Sequence, residues 1–134
     1  MDTYKAGSEF SQIMLSADIN TIGLAGSRAT LFVPGSGYPS IAVAHSVDAT
    51  GDIPVSPIGI SNTLKGKRIS IMSKIDLSII GDLEARQKEF NHISVSYFLE
   101  GGAEQNKEFT AETEDLTHAE NYMTALIYKA IDII

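Results

Sequence analysis

Histidine has the widest chemical range of the residues in this chain, because an imidazole can act as a general base or bind a metal near neutral pH. Of the three histidines, His92 precedes a segment of alternating apolar and polar residues. If this segment is a strand, His92 lies on the strand face that carries several serines. Asp76 is predicted to lie on that same face. A His–Asp–Ser grouping there would resemble a nucleophilic hydrolase site. Serines on the wet face of a strand are far more often plain solvated residues, so a hydrolase ranks lowest of three functional hypotheses.

The other two histidines fit structural roles. His45 falls on the apolar side of a predicted strand, where a histidine is usually partly buried and hydrogen-bonded. His118 and Glu120 stand two residues apart, which does not place them on one face of a helix, so they form a poor metal pair. The sequence has neither a phosphate-binding glycine loop nor a G-x-S-x-G nucleophile motif. It therefore predicts no catalytic residues and no cofactor.

Three residues in predicted loops are candidates for ligand binding. Asp48 and Asp52 bracket residues 49–51, and carboxylates on such a loop are weak candidates for calcium, because the spaced ligands of an EF-hand are absent. A plain turn is the favoured interpretation. Tyr38 lies in the Pro- and Gly-rich segment 34–39, and an exposed aromatic ring of this kind could stack on a sugar.

Composition excludes several classes of function. The chain has 134 residues, a formal net charge of −7 and no cysteine. The absence of cysteine excludes disulfide scaffolds, thiolate zinc sites, iron–sulfur clusters and cysteine nucleophiles. The negative charge opposes binding to nucleic acid and docking on anionic membranes. We expect a single domain, since this length buries a sufficient hydrophobic core without metals or disulfides.

The sequence shows no targeting or membrane-spanning segment. Residues 1–10 lack the basic and apolar regions of a secretory signal. No apolar run approaches the roughly 20 residues that span a bilayer. We therefore expect a cytoplasmic location, with export by a dedicated secretion machine as the alternative.

Residues 68–79 carry the clearest structural pattern. Apolar or small side chains take the odd positions and polar ones the even positions, with Met72 as the exception. Since successive side chains of a strand point to opposite faces, we predict a long amphipathic strand with its odd face in the core. Residues 92–99 repeat the alternation. An antiparallel register that matches the two apolar faces pairs Ile79 with Ile93, Leu77 with Val95 and Ile75 with Tyr97.

The polar face of these two strands is the predicted binding surface. It carries Lys74, Asp76 and Phe98, and His92 stands where the second strand is predicted to begin. Together with Tyr38, these are the predicted binding residues.

The segments before residue 68 predict short strands. Residues 1–27 fit a short helix or a strand and bend, and extended structure is favoured. Residues 41–47 alternate between larger and small side chains. This pattern predicts an amphipathic strand with Ile41, Val43, His45 and Val47 on its apolar face. Pro54 and Pro57 lack a backbone N–H, so residues 53–60 are predicted to form an edge strand or a bent connector.

The C-terminal region shows a different period. Apolar residues recur at spacings of three and four from Leu116 to Ile134, which is typical of one stripe of a helix. No Gly or Pro interrupts residues 114–134. We therefore predict a single C-terminal α-helix over about 114–133, and a polar helical turn or loop over 82–89. The whole is predicted to be mainly β: an antiparallel sheet or two-sheet sandwich of six to eight strands, closed by this helix.

The leading functional hypothesis is a non-enzymatic binding or assembly module that acts through a sheet face or edge. It rests on three observations: no set of catalytic residues is recognisable, prolines mark residues 53–60 as a possible edge strand, and the C-terminal residues 131–134 are mostly apolar. Basic residues cluster between 65 and 74, whereas residues 82–120 hold ten acids against three bases, and opposite charges of this kind favour a homo-oligomer or a protein partner. A closed dimer is the simplest form. The second hypothesis is a small-ligand or carbohydrate-binding β-sandwich, with calcium at Asp48 and Asp52 as a variant.

Overall fold

Two β-sheets pack face to face in the computed structural model, which describes all 134 residues. The strands are β1 (Asp2–Tyr4), β2 (Gln12–Asn20), β3 (Leu24–Phe32), β4 (Ile41–His45), β5 (Ile53–Ile60), β6 (Arg68–Asp76), β7 (Ser94–Gly101), β8 (Gln105–Thr110), β9 (Leu116–His118) and β10 (Thr124–Ile133). The helices are α1 (Ser61–Leu64) and α2 (Leu83–His92), and two 3₁₀ turns cover Thr113–Asp115 and Glu120–Tyr122. No helix has the length and apolar character that crossing a membrane requires.

The strands divide into two sheets, here called sheet I and sheet II. Sheet I has the order β1-β10-β6-β3-β4, with β9 also paired to β10, and sheet II has the order β5-β2-β7-β8. Every strand pairing is antiparallel except that of β1 with β10. The predicted mainly β fold with antiparallel sheets is therefore confirmed. So is the extended structure predicted for residues 1–27, which hold β1, β2 and the start of β3.

Alternation along the strands decides which side chains enter the core. On β6, Ile69, Ile71 and Ile75 are buried, whereas Met72 and Lys74 are exposed. The inward side chains of both sheets belong to one cluster of 24 buried residues. The prediction that the odd face of this strand lies in the core is therefore confirmed.

The strand is shorter than predicted. It ends at Asp76 rather than at residue 79. Leu77 is still buried, but Ile79 lies beyond the strand and is 56 % exposed. Ile79 is apolar and therefore fits the alternation, but its side chain does not belong to the core face.

The predicted pairing of residues 68–79 with residues 92–99 is wrong. Strand β6 lies between β10 and β3 in sheet I, whereas β7 lies between β2 and β8 in sheet II. The register that opposes Ile75 to Tyr97 therefore does not form. Strands that face each other across a sandwich core turn their apolar sides together just as paired strands do, so alternation alone does not separate the two cases.

The predicted C-terminal helix over 114–133 is also wrong. This region forms the first 3₁₀ turn, β9, the second 3₁₀ turn and the ten-residue strand β10. Leu126 and Tyr128 are apolar residues on the outer face of β10, and Lys129 occupies an inward position. Apolar residues on both faces of a strand, with a charge inside, produce spacings of three and four that imitate a helix stripe.

The longer helix lies in the middle of the chain. Strand β7 begins only at Ser94, so His92 ends α2 instead of opening a strand. The helix starts where the sequence predicts a helical turn or a loop, and the Asp82 carboxylate caps it by accepting a hydrogen bond from the Ala85 N–H at 3.0 Å.

The strands at one edge of each sheet test two further predictions. Strand β5 pairs only with β2, so the predicted edge strand with Pro54 and Pro57 is confirmed. The predicted apolar face of β4 is wrong, because Ala44 is the buried residue whereas Ile41 and His45 are exposed. A β-bulge opposite Ala29 shifts the register of this short strand, and the shift overrides the alternation.

The face assignment of β6 predicts the effect of two substitutions. Ile75→Lys should largely unfold the protein, because Ile75 is buried and an unpaired buried ammonium costs several kcal/mol, against a typical stability of about 5–15 kcal/mol. Lys74→Ser, on the exposed face, should change stability little. Chemical denaturation measures both, and equal unfolding midpoints for the two variants would contradict the assignment.

Candidate binding surface

The outer face of sheet I carries a cluster of exposed apolar side chains, here called the apolar patch. It consists of Met72 on β6 and of Leu126 and Tyr128 on β10. Met72 lies directly opposite Tyr128, and Leu126 is the adjacent outward residue of β10. Their exposed fractions are 52, 42 and 45 % respectively. Single exposed apolar residues are normal on protein surfaces, and their grouping on two neighbouring strands makes this face a candidate interaction site.

Strand pairing places the apolar patch at the middle of the sheet. Strands β10 and β6 stay in register from Thr124 to Asp132, and β3 pairs with the other edge of β6. Residues directly opposite each other share a face. The register therefore aligns one outward residue from each of four strands: Tyr128, Met72, Arg28 and His45.

Two unpaired cations adjoin the apolar patch. Arg28 is opposite Met72, and Lys74 is the next outward residue of β6. Both are exposed, and neither takes part in an ion pair. The nearby Asp76 carboxylate accepts hydrogen bonds from the Ser78 hydroxyl at 2.6 Å and from the Ser78 N–H at 2.9 Å, which lower the pKa of Asp76. Because these donors are neutral, the Asp76 carboxylate stays charged, and the face carries two cations with one acid beside Lys74.

An ion pair closes the other end of this face. The Arg68 Nε donates to the Asp132 carboxylate at 2.6 Å across β6 and β10. This hydrogen bond lowers the pKa of Asp132 and raises that of Arg68. The pair adds no net charge, so Arg28 and Lys74 outnumber Asp76 among the remaining charges at outward positions of β3 and β6.

A gap in the edge of β10 forms a second candidate site. Strand β9 pairs with residues 125–127 of β10 and β1 pairs with residues 131–133, which leaves residues 128–130 without a strand partner on that edge. A cleft of about 410 Å³ occupies the gap. Its lining consists of Met1, Asp2, Glu112, Glu114, Asp115, Tyr128, Lys129 and Ala130.

Lys129, at the floor of this cleft, is the one buried residue with a charged side chain, at 3 % exposure. Its Nζ lies 2.6 Å from the Asp2 carboxylate and 3.4 Å from that of Asp115, and it donates to the Thr110 carbonyl at 2.7 Å. Burial alone would lower the pKa of Lys129, but the hydrogen bonds and charges of Asp2 and Asp115 outweigh it and the pKa is raised. The ammonium is therefore charged and fully engaged, so it ties segments together and does not act as a base or nucleophile.

An aromatic cluster holds α2 against the turn before β10. The rings of His118 and Tyr122 stack with centroids 3.8 Å apart, and the Phe90 ring meets His118 edge-on at 5.1 Å. The Arg86 Nε donates to the Asn121 carbonyl at 2.9 Å. The His118 ring is thus part of a packing contact, and the sequence likewise makes it a poor candidate for a metal ligand.

The structure distributes the predicted binding residues over four places. Lys74 and Asp76 share the outer face of sheet I beside the apolar patch. Phe98 is on the outer face of sheet II, because β7 belongs to that sheet. Tyr38, 80 % exposed, lies in the connection between β3 and β4, and His92 is in the last turn of α2. No hydrogen bond joins His92 to Asp76, so the structure brings together only Lys74 and Asp76.

Asp48 and Asp52 use their carboxylates to shape their own loop. Asp48 accepts hydrogen bonds from the hydroxyl and, at 3.0 Å, from the N–H of Thr50, and these lower its pKa. Asp52 accepts a hydrogen bond from the Ile19 N–H at 2.7 Å. The structure holds no cluster of three side chains that could bind a metal ion.

Sequence reasoning missed the central members of the candidate surface. The helix prediction for residues 114–133 does not place Leu126 and Tyr128 on a strand face. The alternation in residues 68–79 leaves Met72 as an exception to the pattern. The available signal was that residues 124–133 contain three isoleucines at odd positions, which favour a strand, with Leu126 and Tyr128 on the opposite face.

The Lys129 contacts predict a pH-dependent contribution to stability. We expect Lys129→Met to lower the free energy of unfolding by about 1.5–3 kcal/mol at neutral pH, because hydrogen bonds to charged groups are worth about that much. Since the pKa is raised on folding, the contribution is complete below the ordinary value of 10.5 and is lost as the pH rises through the raised pKa.

Urea unfolding of wild type and variant at neutral pH and above pH 10.5 measures this contribution. Lys88→Met, at an exposed position of α2, is the matched control and should have little effect. A Lys129→Met variant as stable as Lys88→Met would show that Lys129 does not tie these segments.

Comparison of the chain with protein-family models, with curated proteins and with solved structures finds no match. The surface chemistry described above is therefore the basis on which a function has to be argued. Its most distinctive element is the apolar patch with the two cations beside it.

Proposed function

We propose that this protein is a non-enzymatic assembly module that binds a protein surface through the outer face of sheet I. The observation that carries the proposal is the apolar patch of Met72, Leu126 and Tyr128. Leaving apolar area in water costs about 25 cal/mol per Å² relative to burying it. A partner that covers the patch recovers this free energy.

The residue types on this face are those that protein interfaces favour. Tyr, Met and Arg are enriched at interfaces relative to the remaining surface, and Tyr and Arg are frequent among residues that dominate binding energy. The aligned residues Tyr128, Met72 and Arg28 are one of each. Met72 and Arg28 lie on inner strands of the sheet and Tyr128 lies beside the gap in the edge of β10, so a partner that covers all three excludes water from them.

Two of the edge strands, β5 and β4, are poorly suited to pairing with a strand of another chain. Strand β5, an edge of sheet II, contains Pro54 and Pro57, which remove two backbone donors and discourage pairing with another strand. Strand β4, an edge of sheet I, has only five residues. Neither edge offers a long run of free backbone groups.

The hydrogen bonds of three titratable groups, Lys129, Asp48 and Asp76, fit structural roles for these side chains. The Lys129 ammonium is held by three partners, and the carboxylates of Asp48 and Asp76 accept hydrogen bonds from neighbouring hydroxyls. Each group is thereby committed to local structure. None is left poised to transfer a proton or attack a substrate.

The second candidate function is binding of a small polyhydroxyl ligand beside Tyr38. A shallow groove of about 400 Å³ runs along the end of β3, and exposed Tyr38 adjoins Phe32 and several hydroxyl groups there. Its lining residues with hydroxyl groups are Thr30, Ser36, Tyr38, Ser40 and Ser70. An aromatic ring among hydroxyls suits a sugar.

Calcium at Asp48 and Asp52 would not assist this groove. Their loop adjoins Ala25, whereas Tyr38 follows the opposite end of β3 near Phe32. At about 3.3 Å per residue, these two ends are roughly 23 Å apart.

A thermal-shift screen with mono- and disaccharides, with and without calcium, tests the second candidate. Binding at Tyr38 should raise the unfolding midpoint equally with calcium and with a chelator, and Tyr38→Ala should abolish the rise. Phe10→Ala, at another exposed ring, is the control. No rise with any sugar, or a rise that survives Tyr38→Ala, would contradict this site.

The proposed function predicts self-association that depends on the apolar patch. Light scattering coupled to gel filtration at tens of micromolar should give a mass above 14.4 kDa for the wild type. Met72→Ser with Tyr128→Ser should weaken association at least tenfold, since loss of a central residue costs upwards of about 1.4 kcal/mol. Because Arg28 and Lys74 adjoin the patch, added salt should weaken association too.

The control removes exposed apolar side chains elsewhere. Ile22→Ser with Phe10→Ser changes two exposed residues in loops outside both sheets and should associate like the wild type. A wild-type mass of 14.4 kDa under every condition, or equal weakening by the control, would refute the proposal.

A further inference from the structure

We propose that the partner of the outer face of sheet I is the outer face of sheet II on a second copy of this chain, so that the molecules assemble head to tail. This inference rests on the proposed function and adds the identity and the direction of the contact. It is carried by the charges and apolar residues that the two outer faces present.

The outer face of sheet II has an apolar centre of its own. Phe98 on β7 lies opposite Ser16 on β2 and opposite Glu108 on β8. Met14, the other outward apolar residue nearby, is diagonal to Phe98 on β2. Both are only half-buried, and small serines surround them, so the rings and side chains of another surface can approach closely.

Unpaired acids surround this second apolar centre. Asp18, Glu100 and Glu108 are exposed at outward positions, and none of them makes an ion pair or accepts a hydrogen bond from a side chain or backbone. The outward positions of the four strands of sheet II hold no Lys or Arg. The exposed Lys107 of β8, at an inward position, lines one groove with Phe98, Glu100 and Glu108 and donates to the Thr3 carbonyl at 3.1 Å, so this face is predominantly anionic.

The two faces complement each other. Each has an apolar centre, and each carries unpaired charges on neighbouring strands: Arg28 and Lys74 on sheet I, and three acids on sheet II. Glu114 lies near Tyr128 at the β9 edge of sheet I and Asp76 follows Lys74 on β6, so the cations outnumber the acids only on the part of that face formed by β3 and β6.

Charge also disfavours the like-with-like alternatives. Two copies joined through sheet I would bring the Arg28 and Lys74 cations of both copies together, and two copies joined through sheet II would oppose three acids to three acids. Repulsion between like charges across an interface selects against such pairings. The contact of sheet I with sheet II is the one in which the unpaired charges attract.

The size of the faces predicts a weak contact. The four strands of sheet II have six to nine residues, so they cover roughly 26 Å by 19 Å, or on the order of 500 Å². A stable specific interface buries about 800 Å² per partner. The association should therefore need micromolar or higher concentrations and respond strongly to salt.

Head-to-tail contacts also predict growth beyond a dimer. The joined faces differ, so every added copy leaves one sheet I face and one sheet II face free at the two ends. The mass should rise continuously with concentration. This differs from the closed dimer that the sequence suggests.

Two variants that each block one face test the inference. Arg28→Glu with Lys74→Glu blocks sheet I, and Met14→Ser with Phe98→Ser blocks sheet II. Each alone should have a mass of 14.4 kDa in light scattering at a concentration where the wild type grows. Mixed one to one, they should form a complex of about 29 kDa, twice 14.4 kDa, that grows no further, because each contributes its one intact face.

Two further variants separate the effect of charge on the two faces from the effects of lost apolar contacts and of changed net charge. Asp18→Lys with Glu108→Lys reverses charge on sheet II while leaving Phe98 in place, and it should also fail to grow. Lys5→Glu with Lys88→Glu changes the net charge as much as the sheet I variant does, but at exposed positions off both faces, and it should assemble like the wild type. Unfolding midpoints close to that of the wild type establish that each variant is folded.

The outcomes separate this inference from the proposed function. If the sheet II variants associate like the wild type while the sheet I variant does not, the contact joins like faces, and the inference falls while the proposed function stands. If the two blocked variants give no 29 kDa complex when mixed, the inference is likewise overturned. If the wild type itself stays at 14.4 kDa throughout, both are refuted.

Discussion

The contact on which this structure most depends is that of the buried Lys129 ammonium with Asp2, Asp115 and the Thr110 carbonyl. These partners belong to β1, to the 3₁₀ turn before β9 and to β8, so one side chain of sheet I ties three other segments and reaches across to sheet II. A buried charge is costly without partners. The requirement for all three partners holds the edge of β10 in place, although β1 and β9 each cover only three of its residues.

Anchoring β10 in this way determines what sheet I shows to solvent. Because Lys129 points inward, its neighbours Tyr128 and Ala130 point outward, and the register with β6 sets Tyr128 against Met72. A charged residue inside and an aromatic residue outside invert the usual pattern of a strand. Together with Leu126 and Met72, Tyr128 makes the outer face of sheet I partly apolar, and the proposed role in assembly rests on this feature.

The two outer faces of the sandwich differ in charge although the protein as a whole is acidic. Sheet I places two unpaired cations beside its apolar patch, and sheet II places three unpaired acids around Phe98. A net charge of −7 would keep copies apart if it were spread evenly. In the proposed assembly, its uneven distribution favours contact between unlike faces and so gives the contact a direction as well as a location.

The sequence by itself determined the parity of the long strands, the edge position of β5 and the place of Lys74 and Asp76 on an outer face, because alternation and proline chemistry are properties of the local backbone. Tertiary structure alone decided that β6 and β7 belong to different sheets, which moved Phe98 to the opposite side of the molecule. It also decided that residues 124–133 form a strand. Their apolar spacing fits a helix as well, and only the pairing with β6 and the distant partners of Lys129 select the strand, since those contacts join residues far apart in the chain.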